Sequence, residues 1–110
     1  MKLPNLERAT VAPDKLRGYL LSPQHTTGRF KARFFRGLGY SVEDWERLSE
    51  DLLRVAREGE AELVSSPFGE KYRILGTVEG PNGRTATLVT IWIVNRDDSE
   101  PRFVTAYPGE

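Results

Sequence analysis

The sequence predicts an α+β fold, in which three N-terminal helices pack on one face of a four-stranded antiparallel β-meander. Up to Gly59 the apolar residues recur at helical spacing, and after Gly59 they alternate with polar residues as in half-buried strands. The tetrapeptide Gly80-Pro81-Asn82-Gly83 lies between two alternating stretches and predicts a tight hairpin, because Asn-Gly tolerates positive φ. Helices followed by hairpin-linked strands are typical of the α+β class.

Three segments have the apolar stripe and the end signals of helices. Pro13 suits the first turn of the first helix, where its missing N–H needs no partner, and Pro23 follows the end of that helix. The third helix follows Ser41-Val42-Glu43-Asp44, which resembles a capping box, and it stops at Gly59. The helices are expected at residues 13–21, 26–36 and 42–58.

Four segments after Gly59 have the composition of strands. The third of them is apolar and β-branched on both sides, so we expect it at the centre of the sheet with Trp92 in the core. In the second, Tyr72 shares one side with Ile74 and Val78. The strands are expected at residues 61–65, 71–79, 84–94 and 102–107.

Length and composition restrict the class of protein. The 110 residues are expected to form a single domain over residues 1–110, and 38% hydrophobic with 29% charged residues is typical of a globular protein. No apolar run reaches the roughly 20 residues that cross a bilayer. The N-terminus lacks the apolar core of a secretory signal, so we expect a cytoplasmic protein.

The residue types present also limit the chemistry. The absence of cysteine excludes disulfides, thiolate metal sites and cysteine catalysis. One histidine and scattered carboxylates do not form a zinc site, so we expect neither a metal nor a cofactor. What remains is metal-free chemistry by histidine, lysine, arginine, tyrosine and threonine.

Charge is balanced overall and unbalanced locally. Lys and Arg number 16 and Asp and Glu number 16, yet residues 15–36 contain six basic side chains and no acidic one. Acidic residues dominate from Glu43 to Glu62. The basic segment either attracts phosphates or is a solvated helix face. The acidic helix is likewise either a docking surface or a solvated face.

His25 and Lys31 are the candidate catalytic residues of the helical part. His25 precedes the second helix, whose positive end favours the neutral imidazole that acts as a general base. Its alternative is a capping or surface histidine. Lys31 falls on the apolar arc of that helix, where it holds a phosphate, pairs with a buried acceptor or extends past the core to water.

Thr105 and Tyr107 are the candidate catalytic residues of the sheet. Their side chains share one face of the last strand, and two hydroxyls about 7 Å apart can orient a phosphodiester. Tyr72 is a candidate third hydroxyl or stacking ring for the substrate. Arg84 at the hairpin exit and Arg29 in the basic segment are candidate phosphate ligands. The alternative is an ordinary half-buried sheet face with solvated arginines.

Several strings resemble a bacterial family known as a domain of unknown function, of the 6883 type. They include Tyr19-Leu20-Leu21-Ser22-Pro23-Gln24-His25, Phe68-Gly69-x-Lys71-Tyr72 and Val104-Thr105-Ala106-Tyr107-Pro108. The resemblance covers nearly the whole chain. It identifies a family without implying an activity.

A looser resemblance implies a function. Helices followed by a four-stranded antiparallel sheet that ends in a Thr-Ala-Tyr-Pro-like strand are similar to the metal-independent ribonuclease toxins of the barnase and colicin-ribonuclease superfamily. This resemblance implies an endoribonuclease in which His25 deprotonates a ribose 2′-hydroxyl and Lys31 stabilises charge on the phosphate. Thr105 and Tyr107 would position the phosphodiester, and Tyr72 would stack on the substrate. The implied partners are RNA and a cognate antitoxin or immunity protein.

Two other interpretations stay open from the sequence. One is a non-catalytic, immunity-like or regulatory module that docks a partner protein through the acidic helix at residues 42–58. The other is a small domain whose polar residues only support folding. Replacing Lys31 with methionine separates the second alternative from the ribonuclease. In the small folding domain the change should stabilise the protein or cost little stability, because an apolar chain of similar length replaces a buried cation. In the ribonuclease it should abolish activity and leave the fold intact.

Overall fold

The computed structural model describes residues 1–22, 24, 29–64, 67, 69–95 and 99–109, with backbone alone at 29 and 30. A short 3-10 turn at Leu6–Arg8 precedes helix α1 (Pro13–Lys15), which continues as a π-helix (Leu16–Leu20). Then come helices α2 (Arg29–Gly37) and α3 (Trp45–Glu58) and strands β1 (Ala61–Val64), β2 (Gly69–Glu79), β3 (Thr85–Asn95) and β4 (Arg102–Pro108).

The strands form one antiparallel sheet in the order β1-β2-β3-β4, which confirms the predicted α+β meander. The β2–β3 turn closes at Gly83, where φ is 87°, so the glycine rather than Asn82 adopts the left-handed conformation. The Asn82 side chain instead donates a 2.9 Å hydrogen bond to the Gly37 carbonyl. The hairpin is thereby fastened to the end of α2.

The core lies between α3 and the sheet. Leu48, Leu52, Val55 and Ala56 form the buried stripe of α3. A Cβ at Gly76 of β2 would lie 2.6 Å from Val55 Cγ1, so α3 approaches that strand closely only because the position is glycine. Trp92 is fully buried, as predicted. The remaining fully buried sheet residues include Ile74, Val78, Leu88 and Thr90.

The first and third helices differ in detail from the sequence prediction. The Leu21 N–H donates to the Leu16 carbonyl at 2.8 Å, a π-type spacing that aligns these two fully buried leucines. Helix α3 starts at Trp45 rather than at residue 42, because Ser41 Oγ accepts the Asp44 N–H at 3.2 Å in a separate turn. The predicted start of the second helix at residue 26 or 27 lies outside the described residues.

No helix within the described part of the chain is long and apolar enough to cross a membrane.

Candidate functional site

Lys31 connects three elements that are distant in the sequence. Its ammonium, in the first turns of α2, donates to the Tyr19 hydroxyl at 2.7 Å and to Thr105 Oγ1 at 3.0 Å. Tyr19 lies in the π-helix and Thr105 in β4. The two hydroxyl oxygens are 3.2 Å apart, so the three polar groups form a closed triangle.

Tyr107 borders this triangle. On β4, Thr105 pairs with Ile91 and Tyr107 with Val89, so both side chains lie on the same side of the strand. The Lys31 ammonium is 5.9 Å from the centroid of the Tyr107 ring, within the range of a cation–π contact. We call Tyr19, Lys31, Thr105 and Tyr107 the Lys31 cluster.

An irregularity in strand pairing helps to position Thr105. The register between β3 and β4 shifts between Ile91 and Trp92. As a result Phe103 and Ala106 are both buried although they are three residues apart. Thr105, next to Ala106, then lies on the opposite side of the strand and is only half-buried.

The Lys31 cluster is rich in hydrogen-bond donors and positively charged. The ammonium has three N–H groups, and the two hydroxyls occupy two of them. Among the described residues, no carboxylate forms a salt bridge with Lys31 and nothing accepts the third N–H. A half-buried cation without a neighbouring anion is an attractive position for an anionic ligand.

The positive charge around the Lys31 cluster makes the Tyr19 phenol more acidic. Burial alone would raise its pKa, but the hydrogen bonds from Lys31 and Thr105 and the charges of Lys31 and Lys15 outweigh burial. The pKa of the Tyr19 phenol is therefore lowered from its ordinary value of 10.0. Tyr19 was not among the predicted site residues, because its helical spacing with Leu16 and Leu20 indicates a core residue. Its position four residues after Lys15 in the basic segment was the available signal.

Two of the predicted substrate-binding residues lie away from the Lys31 cluster. Tyr72 is only 2% exposed, so its ring has no free face for stacking, which corrects that expectation. Its hydroxyl donates to Glu70 Oε2 at 2.5 Å, and burial together with this carboxylate raises the pKa of Tyr72 to about 12. Arg84 is exposed in the β2–β3 turn, which packs at the far end of α2, about 9 Å along the helix from Lys31.

Two further predicted residues fall outside the side chains that the structure describes. His25 is among the undescribed residues, in the chain between Tyr19 and Lys31. Arg29 begins α2, but its side chain is not described. Both stay predictions of the sequence.

A second polar cluster lies on α3 and the segment before it. Asp51 of α3 is 4% exposed and accepts a 2.5 Å hydrogen bond from the Tyr40 hydroxyl. Arg54 Nη2 lies 3.1 Å from Asp51 Oδ1, and Arg47 Nε lies 3.7 Å from Oδ2. We call Tyr40, Arg47, Asp51 and Arg54 the Asp51 cluster. No group of three potential metal ligands occurs in the described ranges.

Comparisons with known proteins agree with this architecture. A chain of a contact-dependent growth inhibition toxin–immunity protein complex from Klebsiella pneumoniae 342 superposes with a TM-score of 0.71. The match covers 96% of this chain and 97% of that chain at 18% sequence identity, which indicates a shared fold. No curated protein matches the sequence. Residues 2–110 match the family model described as Domain of unknown function (DUF6883), and over that length the chain belongs to this family.

Proposed function

We propose that this chain is a metal-independent endoribonuclease of the toxin type, which cleaves RNA by attack of a ribose 2′-hydroxyl on the adjacent phosphodiester. The observation that supports it most directly is the Lys31 cluster. A cation that no described carboxylate neutralises is held by two hydroxyls from separate elements, with an N–H group left for a ligand. Phosphate is the anion whose geometry and charge such a donor set suits.

Lys31 would act on the charge that builds during the reaction. When the 2′-oxygen bonds to phosphorus, negative charge grows on the non-bridging phosphate oxygens. The ammonium is already fixed by Tyr19 and Thr105, so it need not reorganise when that charge appears. Partial burial strengthens its attraction for the phosphate relative to a lysine in free solution.

His25 is the proposed general base. It would take the proton from the 2′-hydroxyl as the new O–P bond forms. The bond between phosphorus and the 5′-oxygen then breaks, and the 5′-oxygen takes a proton from water. The products would be a 2′,3′-cyclic phosphate and a 5′-hydroxyl end. Tyr107 would bound the site on one side, and Arg29 would attract the RNA backbone.

The structural comparison supports a toxin-related or immunity-like role. The similar chain comes from a complex of a contact-dependent growth inhibition toxin with an immunity protein. By this analogy, our proposal includes a cognate immunity protein as a partner and the cytoplasm, where RNA is found, as the place of action.

RNA cleavage in the presence of EDTA tests the proposal. The unsubstituted protein should cleave total RNA with EDTA present and leave cyclic phosphate ends, and His25→Ala should abolish cleavage. Thr105→Val, which removes one hydroxyl from the cluster, should slow cleavage about tenfold or more. Thr77→Val is the matched control, since Thr77 is exposed on β2. Failure of the protein to cleave RNA, or equal cleavage by all variants, would contradict the proposal.

A second candidate is a protein-binding module of the immunity or regulatory type. It is favoured by exposed acidic side chains around the start of α3, at Glu43, Asp44, Glu46 and Glu50. A pull-down from the native host would identify the partner. If Glu46→Lys with Glu50→Lys left the captured partner unchanged, the acidic surface would not be the docking site.

A further inference from the structure

A groove lies beside the Lys31 cluster, and the sequence analysis did not anticipate it. It has a volume of about 450 Å³, within the usual range for small-molecule sites. Apolar side chains form much of its wall, including Val11, Pro13, Ile93 and Val104, and Lys15 and Arg102 add positive charge.

The groove exists because the N-terminal segment runs along the edge of β4. The Thr10 N–H donates to the Pro101 carbonyl at 3.0 Å, and the Phe103 N–H donates to the Thr10 carbonyl at 3.0 Å. The chain then turns away from the strand into α1 at Pro13. The space between this segment and β4 remains open.

The groove and the Lys31 cluster are neighbours on the same two elements. Lys15 lines the groove, and Tyr19 of the cluster follows four residues later on the continuous α1 and π-helix. Val104 lines the groove, and Thr105 of the cluster is the next residue of β4. Four residues therefore separate the two positions along the helical segment, which is at most about 6 Å at the α-helical rise per residue. Consecutive phosphates of an extended RNA strand are spaced similarly.

We infer that this groove is a second nucleotide subsite, in which Lys15 binds the phosphate next to the scissile one while the apolar wall holds the attached nucleoside. The inference rests on the proposed ribonuclease function. Lys15 is exposed and forms no salt bridge within the described part of the chain, so its charge is available to a ligand. A substrate with two phosphates should thus bind better than a substrate with one.

Short substrates of defined phosphate number test the subsite by cleavage. Each carries a single ribonucleotide among deoxynucleotides, so only one phosphodiester is cleavable. A dinucleotide has the scissile phosphate alone, and two trinucleotides add a second phosphate on the 5′ or on the 3′ side. We expect kcat/KM to rise about tenfold for one trinucleotide. Lys15→Gln should remove this gain, so that the dinucleotide and both trinucleotides are cleaved with the same kcat/KM.

Arg17→Gln is the matched control, since Arg17 is exposed on the same helical segment and does not line the groove. It removes one positive charge, as Lys15→Gln does, and should retain the gain. If the dinucleotide is cleaved and neither trinucleotide is cleaved faster, the subsite is wrong. Equal losses in Lys15→Gln and Arg17→Gln would also overturn it, because general electrostatic attraction would then account for the effect.

A binding measurement keeps this inference separate from the proposed activity. All-deoxy analogues cannot be cleaved, so an NMR titration with the di- and trinucleotide reports binding alone. The trinucleotide should shift the amide signals of Thr10 and Phe103 in the unsubstituted protein and not in Lys15→Gln. If those shifts occur although no ribonucleotide substrate is cleaved, the subsite stands and the ribonuclease proposal fails. Cleavage without those shifts would mean that the subsite alone is wrong.

Discussion

The Lys31 cluster and the Asp51 cluster both pair a tyrosine hydroxyl with a charged side chain, but they differ in charge balance. In the Asp51 cluster, one buried carboxylate faces two arginines and the Tyr40 hydroxyl. In the Lys31 cluster, one ammonium faces two hydroxyls and two tyrosine rings, and no carboxylate among the described residues.

The two tyrosines record this difference. Burial and the neighbouring Asp51 carboxylate raise the pKa of Tyr40, whereas the positive surroundings lower the pKa of Tyr19. The buried Asp51 carboxylate is already paired with Tyr40, Arg47 and Arg54, so it links α3 to the segment before it and is not available to a ligand. The half-buried Lys31 ammonium has no counterion among the described residues, and such a charge does not help the protein to fold. The Lys31 cluster is therefore the better candidate for a binding site.

Replacing the central cation should have the largest effect. Lys31→Met should lower RNA cleavage about 100-fold or more, because the positioned donor and its charge are lost. The free energy of unfolding should change by less than about 1 kcal/mol, since an apolar chain of similar length replaces a half-buried charge. Cleavage rates and urea unfolding measure the two effects. Lys2→Met is the control, because Lys2 also donates a hydrogen bond, to the Glu58 carbonyl, far from the cluster. Retained cleavage in Lys31→Met would show that the lysine has no catalytic role.

Replacing the central anion should act on stability instead. Asp51→Ala should lower the free energy of unfolding by about 2–3 kcal/mol, because the buried Tyr40 hydroxyl loses its acceptor. The two arginines are about half exposed and are rehydrated, which limits the loss. Urea unfolding measures the change. Glu50→Ala, at an exposed position, should stay within about 0.5 kcal/mol. Equal stability of the two variants would mean that the Asp51 cluster contributes nothing.

The same substitution made in both clusters sharpens the comparison. Tyr19→Phe should reduce cleavage about tenfold, because the Lys31 ammonium loses one of its two hydroxyl supports. The change in stability should be small, because the hydroxyl is only partly buried. Tyr40→Phe should leave cleavage by the folded protein unchanged and destabilise the fold by about 1.5 kcal/mol. If Tyr40→Phe reduced cleavage and Tyr19→Phe reduced stability, the Asp51 cluster would be the functional site and the Lys31 cluster the structural one.

The smallest expected effect is on tyrosine ionisation. On titration with base, Tyr19 should ionise first, below pH 10.0, Tyr72 near pH 12, and Tyr40 also above its usual range. Tyr40 and Tyr72 hold their protons more tightly when folded, so their contribution to stability is complete below pH 10 and is lost as the pH rises towards their folded values. Tyr19 acts in the opposite sense, and its contribution is lost as the pH falls through its lowered pKa.

Ultraviolet absorbance of phenolate follows this titration. Tyr19→Phe should remove the earliest step and Tyr40→Phe a late one. An unchanged first step in Tyr19→Phe would contradict the assigned electrostatics.

Much of the sheet was predictable from local pattern. Alternation placed Tyr72 on the same side as Ile74 and Val78, and all three are buried. That pattern already argued against Tyr72 as a substrate-stacking residue, since a side shared with core residues faces the helices. The helix stop at Gly59 was equally local, because the sequence changes there from helical to strand periodicity.

The Lys31 cluster was only partly predictable. Lys31 stood out because a cation interrupts an apolar arc, and Thr105 and Tyr107 because strand side chains alternate. Nothing local indicated that Tyr19 would join them, since its participation depends on the π-helix and on how that helix packs beside α2.

The order of helices and strands, the meander and the inward faces of β2 and α3 follow from the spacing of apolar residues over one or two turns, so they can be predicted from the chain alone. The contact between Lys31 and a threonine 74 residues away, and the groove beside them, arise only when the elements pack together. Such contacts depend on packing between elements and on a shift in strand register. Neither leaves a local pattern in the chain.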